Sequence, residues 1–225
     1  MLVRQALTTM AGWLLAVLLS ATATSGPAVA EEVYDLLFKT GTLDGIPRVS
    51  VLDYKRSVFI KSNEELAERS SGVVRLSFAA DEMAELKFLK DDKHRKIGAF
   101  PATVGNPMIM YFVETVIRDM AGTAGGSPYY IRNRVKAALL QDVPVETTTV
   151  TYQGRSIPAQ VVTLYPFKDD PNRARMRGFE DLALTIAMSE EVDGWYYSLS
   201  AKTGGETAEP VYVSSLVRAA DGATQ

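Results

Sequence analysis

The sequence has no cysteine and a single histidine, and these shortages exclude several kinds of chemistry. Without cysteine there is no disulfide, no thiolate nucleophile, no cysteine-bound zinc and no cysteine for lipid attachment. The one histidine, His94, is flanked by Asp92, Lys93 and Arg95, a charged run typical of a solvated turn. Basic residues are not in excess either: 24 Lys and Arg stand against 27 Asp and Glu, which argues against a nucleic-acid partner.

The first 30 residues have the pattern of a secretory signal peptide. Arg4 precedes an apolar stretch at Trp13–Leu19, and Ala28-Val29-Ala30 fits a cleavage site. The apolar stretch is too short to span a bilayer, and no later segment reaches the roughly 18 apolar residues of a membrane span. The sequence therefore predicts export to the periplasm, one folded domain over residues 31–218 and a disordered tail at 219–225.

Alternating apolar side chains predict antiparallel strands in both halves of the exported chain. The alternation is clearest in Val73–Phe78 and from Leu182 to Met188. Residues 91–96 form a charged segment that we expect to connect two strands, and Pro166–Phe179 is expected to be a polar loop. Residues 62–65 resemble a capping box, after which a short helix and a loop are equally consistent with the sequence.

A helical hairpin is predicted between the two strand regions. Asn106-Pro107 and Ser127-Pro128 each place a capping residue before proline, the signature of a helix start. The first helix should end at Gly122 and the second should cover about 128–141. On the first helix, Glu114 is expected to pair with Arg118 on the solvent side. The opposite side of this helix is one apolar face, formed by Ile109, Phe112, Val113, Val116, Ile117 and Met120.

These elements together predict an α+β domain. One helical hairpin of about 30 residues cannot cover both faces of a sheet of about eight to ten strands. Twisted sheets of that size curl unless they split or flatten. We therefore expect a strongly curved antiparallel sheet, a half-barrel, whose concave face is covered by the inserted helical hairpin over an apolar cavity.

This expected architecture resembles that of the LolA/LppX-type exported half-barrel proteins, in which helices cover an apolar cavity on a curved sheet. The resemblance follows the element order over Val33–Val217 and implies a lipid-like ligand. One difference is expected, because the sequence predicts no long helix before the first strand. Segments 105–134 and 182–199 also resemble parts of uncharacterised exported bacterial proteins.

Other candidate binding motifs in the sequence do not have the residue spacing of known phosphate-binding or calcium-binding loops. The glycine-rich stretch 122–126 lacks the Gly-Lys-Ser/Thr of a phosphate loop and follows a helix. Asp169, Asp170 and Asn172 do not match a calcium-binding loop. Arg155, Arg173, Arg175 and Arg177 suggest an anion-contacting patch, although nearby acidic residues favour a mixed, solvated loop. No catalytic group, metal site or cofactor is predicted, and we do not expect an enzyme.

We hypothesise a non-catalytic binding or carrier protein for an apolar or amphiphilic ligand. Adjacent strand residues point to opposite faces, so Tyr196 should face away from Trp195 and Tyr197. The residues expected to contact the ligand are Phe112, Val116, Met120, Ile131 and Val135 on the helical lid, with Trp195 and Tyr197 on the opposite wall.

The alternative is an assembly factor that binds an envelope protein and no small molecule. Its surface would be a sheet edge or the second helix, which carries Arg132 and Lys136. A third hypothesis, an enzyme using Glu114 or Asp119, is unsupported because both residues fall on the helix side assigned to solvent.

The predicted signal peptide implies that the exported protein begins at one defined residue. When the full-length chain is expressed in a Gram-negative host, the periplasmic protein should begin at Glu31, because the small residues at positions 28 and 30 fit the peptidase site. Intact-mass measurement checks this. Recovery of the protein with residues 1–30 still attached would contradict the prediction.

Overall fold

The computed structural model describes residues 27–80, 82–205 and 208–220, with side chains from Glu32 onward. Most of the predicted leader (1–26) and the end of the predicted tail (221–225) lie outside these residues. The elements are α1 (Pro27–Leu37), β1 (Val51–Ile60), α2 (Glu64–Ser70), β2 (Gly72–Phe78), β3 (Met83–Lys90), β4 (Lys93–Pro101), α3 (Met108–Ala124), α4 (Pro128–Leu139), β5 (Val145–Tyr152), β6 (Arg155–Leu164), β7 (Ala183–Met188), β8 (Tyr196–Lys202) and β9 (Tyr212–Arg218).

The nine described strands form one open antiparallel sheet in the order β4-β3-β2-β1-β9-β8-β7-β6-β5. Two meanders, β1 to β4 and β5 to β9, meet where the first and last strands pair, with Lys55 opposite Val217. The helical hairpin joins the two outer strands, β4 and β5. The sheet curls and the helices cover its concave face, which confirms the predicted α+β half-barrel.

Side chains that alternate between buried and exposed along much of β1 separate the two faces of the sheet. On β1, Leu52, Tyr54 and Ile60 are buried under the helices, whereas Lys55 and Ser57 on the other face are exposed. These buried side chains belong to one large core cluster that also contains the inner faces of α1, α3 and α4. The core therefore lies between the concave face and the helices.

The helical hairpin is confirmed, with changes at its ends and in its ion pairs. The first helix, α3, continues past Gly122 to Ala124, because an exposed glycine costs a helix only about 1 kcal/mol. The chain then leaves the helix at Gly125, whose φ is 81°. The predicted pair of Glu114 with Arg118 is wrong: Glu114 binds Arg132 on α4, with Arg132 Nε 3.0 Å from Glu114 Oε1.

A short helix, α1, precedes the first strand, although the sequence pattern did not indicate it. Helix α1 ends at Leu37, and side chains from the far part of the sheet bind its last carbonyl groups. Trp195 Nε1 donates to Leu36 O at 3.1 Å, and the Tyr196 hydroxyl donates to Leu37 O at 2.7 Å. Sequence pattern could not reveal this helix as a packed element, because its partners lie 159 residues away.

In three smaller segments the structure either decides between two predicted alternatives or differs from the prediction. A short helix follows the capping box, since the side chain of Asn63 accepts the N–H of Leu66. The charged segment 91–96 is mostly strand, and His94 is an exposed residue of β4. The loop 166–179 is not simply solvated, because it buries three apolar side chains in the core: Phe167, Met176 and Phe179.

Asn106 joins the start of α3 to the turn that precedes β8. Its side-chain amide donates to Gly194 O at 2.7 Å and to the Tyr54 hydroxyl at 3.0 Å. Its side-chain oxygen accepts the N–H of Met108 at the start of α3. Gly194 lies so close to Leu52 and Asn106 that any side chain there would collide. This clamp fixes the start of α3 against the sheet.

We predict that Gly194→Ala is much more destabilising than Gly154→Ala. Both glycines have positive φ, so both substitutions carry backbone strain of about 1–2 kcal/mol. A Cβ at 194 would also lie 2.8 Å from Leu52 Cδ1 and 2.9 Å from Asn106 Nδ2, whereas a Cβ at 154 meets no atom within 4 Å. The collision should add about 1–3 kcal/mol. Urea unfolding measures both variants, and equal losses of stability would contradict the prediction.

Candidate functional site

The five predicted lid residues lie on the inner faces of α3 and α4. Phe112, Val116, Met120, Ile131 and Val135 are between 1% and 3% exposed and belong to the main core cluster. Two of them, Met120 and Ile131, also line a groove that opens to the surface at the turn of the helical hairpin. The structure therefore brings the predicted lid residues together, and two of these buried residues form part of the groove wall.

The expected alternation at the start of β8 is wrong. Trp195 has a left-handed backbone, with φ of 78°, and the pairing with β7 then skips Tyr197, so buried residues alternate regularly only from Leu199 onward. As a result Trp195 and Tyr196 both enter the main core, while Tyr197 packs against a separate small cluster of Tyr152 and Ile157. A register shift between Ala187 and Met188 on β7 accompanies this change.

The groove at the turn between α3 and α4, named here the hairpin-turn groove, has a volume of about 440 Å³. Its apolar walls come from Met120 and Ala124 on α3, Ile131 on α4 and Met176 in the loop before β7. Its floor reaches the main core, because Met120, Ile131 and Met176 all belong to the core cluster. Grooves of about 300–1,000 Å³ with mainly apolar walls are typical of small-molecule sites.

Polar side chains form the rim of the hairpin-turn groove. Asn172 Nδ2 donates to the Tyr130 hydroxyl at 2.9 Å, and that hydroxyl donates to Asp170 at 2.8 Å. Asp170 also pairs with Arg134, with a separation of 2.7 Å. The oxygens of Asp170, considered above as calcium ligands, are therefore engaged by cationic and hydroxyl groups of α4.

Arg175 is the rim residue that can meet an anion. It is exposed, lines the groove and has no ion pair among the described residues. Its neighbour Arg173 is held by Asp181 at 2.6 Å and by three backbone carbonyls, and Arg155 pairs with Glu191 far from the groove. Arg173 and Arg155 are therefore engaged by acidic partners, and Arg175 is the arginine of the predicted patch that lines the groove.

A second groove, of about 340 Å³, lies on the outer side of the helices between α1, α3 and α4. Phe38, Met110 and Leu140 are among its apolar walls, and Arg132 and Lys136 lie at its rim. Since Glu114 binds Arg132, this surface is less basic than the sequence of the second helix indicates.

A buried ion pair beneath α3 was not predicted from the sequence. Asp119 is 9% exposed, not on the solvent side, and its Oδ2 lies 3.3 Å from Arg56 Nη2 on β1. The Tyr212 hydroxyl donates to the same oxygen at 2.9 Å, and Arg56 also donates to the Tyr111 hydroxyl at 3.4 Å. The arginine at an inward position of β1 was the available signal, because an inward charge requires a partner.

Burial shapes the ionisation of this polar cluster. Burial raises the pKa of Asp119 above its usual value, while the charge of Arg56 and the hydrogen bond from Tyr212 act in the opposite direction. Burial, together with the negative charge of Asp119, raises the pKa of Tyr212 well above its usual value, so its hydroxyl remains a donor. The cluster therefore fastens α3 to β1 and β9 through one carboxylate.

We predict that Arg56→Met raises the pKa of Asp119 further, because the positive charge that favours the carboxylate is removed. Carbon-13 NMR of the Asp119 carboxyl measures the change. Lys55→Met is the matched control, since Lys55 is exposed on the other face of the same strand. An unchanged pKa in Arg56→Met, or an equal rise in Lys55→Met, would contradict the prediction.

The raised pKa of Asp119 in the unsubstituted protein also makes the stability of the fold depend on pH. The pKa of Asp119 is higher in the folded chain than in the unfolded chain, so the folded state binds this proton more tightly. As the pH rises from the pKa of Asp119 in the unfolded chain to its higher pKa in the folded chain, the contribution of Asp119 to the free energy of unfolding should therefore fall.

Comparisons with known proteins give a distant structural likeness. No protein-family model matches the chain, and no curated protein matches it. The crystal structure of the Mycobacterium tuberculosis lipoprotein LppX aligns with a TM-score of 0.34 and 12% identity, covering 87% of this chain and 95% of LppX. None of the helices within residues 27–80, 82–205 and 208–220 is long and apolar enough to cross a membrane. The fold assignment therefore rests on the strands and helices themselves.

Proposed function

We propose that this protein is a non-catalytic periplasmic binding or carrier protein for an amphiphilic, lipid-like ligand. The observation that carries the proposal is the hairpin-turn groove. It combines apolar walls that continue into the core with an unpaired cation, Arg175, among the described residues of its rim.

The groove offers different chemistry to the two ends of an amphiphile. An apolar chain would contact Met120, Ile131 and Met176, and methionine side chains adapt well to chains of different shape. An anionic headgroup at the rim would meet Arg175 and the amide of Asn172.

Deeper entry would involve the rest of the predicted lid. Phe112, Val116 and Val135 lie behind Met120 and Ile131 in the same core cluster, so a long chain would reach them only if the helices separate. Gly125 and Gly126 at the turn have positive φ, and a Cβ added at either residue would meet no atom within 4 Å, so the turn is not braced by packing. Trp195 lies outside this groove in the same core cluster, and we propose that it contacts a deeply bound chain, whereas Tyr197 packs on the separate cluster of Tyr152 and Ile157.

We predict that Ser127→Trp weakens acyl-probe binding at least tenfold. Ser127 is exposed, lines the groove and makes no capping hydrogen bond, so the indole fills the mouth without loss of a contact. The measurement is fluorescence titration of delipidated protein with a fluorescent fatty acid, followed by displacement with unlabelled fatty acid. Asn133→Trp is the matched control, because Asn133 is exposed on α4 and does not line the groove.

Arg175→Glu tests the headgroup contact separately. It should weaken binding of the fatty acid by about tenfold, equivalent to ~1.4 kcal/mol, and should leave binding of the corresponding neutral alcohol nearly unchanged. Absence of displaceable binding to the unsubstituted protein would refute the proposed function. Equal binding by Ser127→Trp and Asn133→Trp would refute the groove as the site.

A further inference from the structure

The two edges of the open sheet are protected very differently. At the β4 edge, the strand carries four consecutive charged or ionisable residues, Lys93 to Lys96, all exposed. The pairing of β4 with β3 is interrupted by a register shift between Leu86 and Lys87, and Pro101 closes the strand. Lysines, irregular pairing and proline are the usual means by which a sheet edge avoids pairing with another chain.

The strand β5 itself has none of these protections, and the one proline near it, Pro144, lies just before its first residue. The strand reads Val-Glu-Thr-Thr-Thr-Val-Thr-Tyr, with one charged residue, Glu146, and no lysine or proline. Its pairing with β6 is regular over all eight residues, from Val145 opposite Val162 to Tyr152 opposite Arg155. β-branched residues of this kind favour strand pairing.

The environment of β5 is unusual for an ordered strand. Val145 to Thr149 are exposed at every position, so neither face of this part of the strand is covered. In an edge strand, alternate residues direct their backbone N–H and C=O groups away from the sheet. Among the described residues, β5 pairs only with β6, and its other side presents a regular set of donors and acceptors.

We infer that β5 is a docking edge for β5 of a second copy of this chain, forming a two-fold symmetric dimer with one continuous sheet. An antiparallel pair of identical strands is self-complementary, as a two-fold interface requires. If the axis passes through Thr148, Thr147 lies opposite Thr149 and Glu146 lies opposite Val150. Cross-strand threonine pairs are favourable, and the two copies of Glu146 are kept apart.

The contrast between the edges explains why the assembly would stop at two copies. Pairing of β5 with β4 of another copy would be head-to-tail and would extend into a ring or an open filament. The cations, the register shift and the proline of β4 oppose that arrangement. The inference is independent of the proposed ligand, because β5 contributes no residue to the hairpin-turn groove.

Sedimentation velocity of the full exported chain over a range of concentrations tests this inference. The unsubstituted protein should show a concentration-dependent dimer. The double variant Thr147→Lys and Thr149→Lys should be monomeric, because it places lysines opposite each other across the two-fold axis. Both positions are exposed, so the fold should keep its stability within about 0.5 kcal/mol, which thermal unfolding verifies.

The matched control is the double variant Thr40→Lys and Thr103→Lys, which adds the same charge at exposed positions away from the edge. It should dimerise like the unsubstituted protein. Hydrogen exchange should also show slower exchange of the amides of 145–152 as the concentration rises. A monomer at every concentration, a dimer that survives the edge lysines, or loss of the dimer in the control would each overturn the inference.

Discussion

The buried pair of Arg56 and Asp119 constrains how the helical hairpin can sit on the sheet. Two charges in an apolar interior are costly unless they are close together and hydrogen-bonded, and here the hydroxyls of Tyr111 and Tyr212 supply the additional bonds. Arg56 and Tyr212 belong to the adjacent central strands β1 and β9, so the carboxylate of Asp119 on α3 is bound to both strands. Any sliding of α3 along the sheet would leave a buried charge without its partner.

This attachment divides the helical hairpin into two parts with different surroundings. The start of α3 is held by Asn106, and its middle and later turns are held by Asp119. Beyond that point the hairpin turns through two glycines and borders a groove instead of packed side chains. The proposed function places the entry of the ligand at this turn, where the apolar interior meets a cationic rim.

The sequence was sufficient to predict the elements that are marked by neighbouring capping residues or by a periodic pattern of apolar side chains. The alternation in β2 and β7 and the cap-proline pairs before α3 and α4 located those elements, and the single amphipathic hairpin led to the curved, one-sided sheet. The remaining features depend on distant partners. Asp119 lies on a helix position that looks solvent-facing until β1 supplies an inward arginine. Trp195 breaks the alternation through its backbone conformation, and the groove requires the loop with Met176 to fold back on the hairpin.

The central claim is that the hairpin is fastened to the sheet at Asp119 and opens at its turn to admit an amphiphile. Hydrogen exchange of the protein with and without a fatty acid tests this most directly. The account predicts that amides of 121–130 exchange through a smaller opening free energy than those of 112–119, and that the fatty acid slows exchange chiefly at the turn. Equal protection of the two segments, or slowing confined to other parts of the chain, would contradict it.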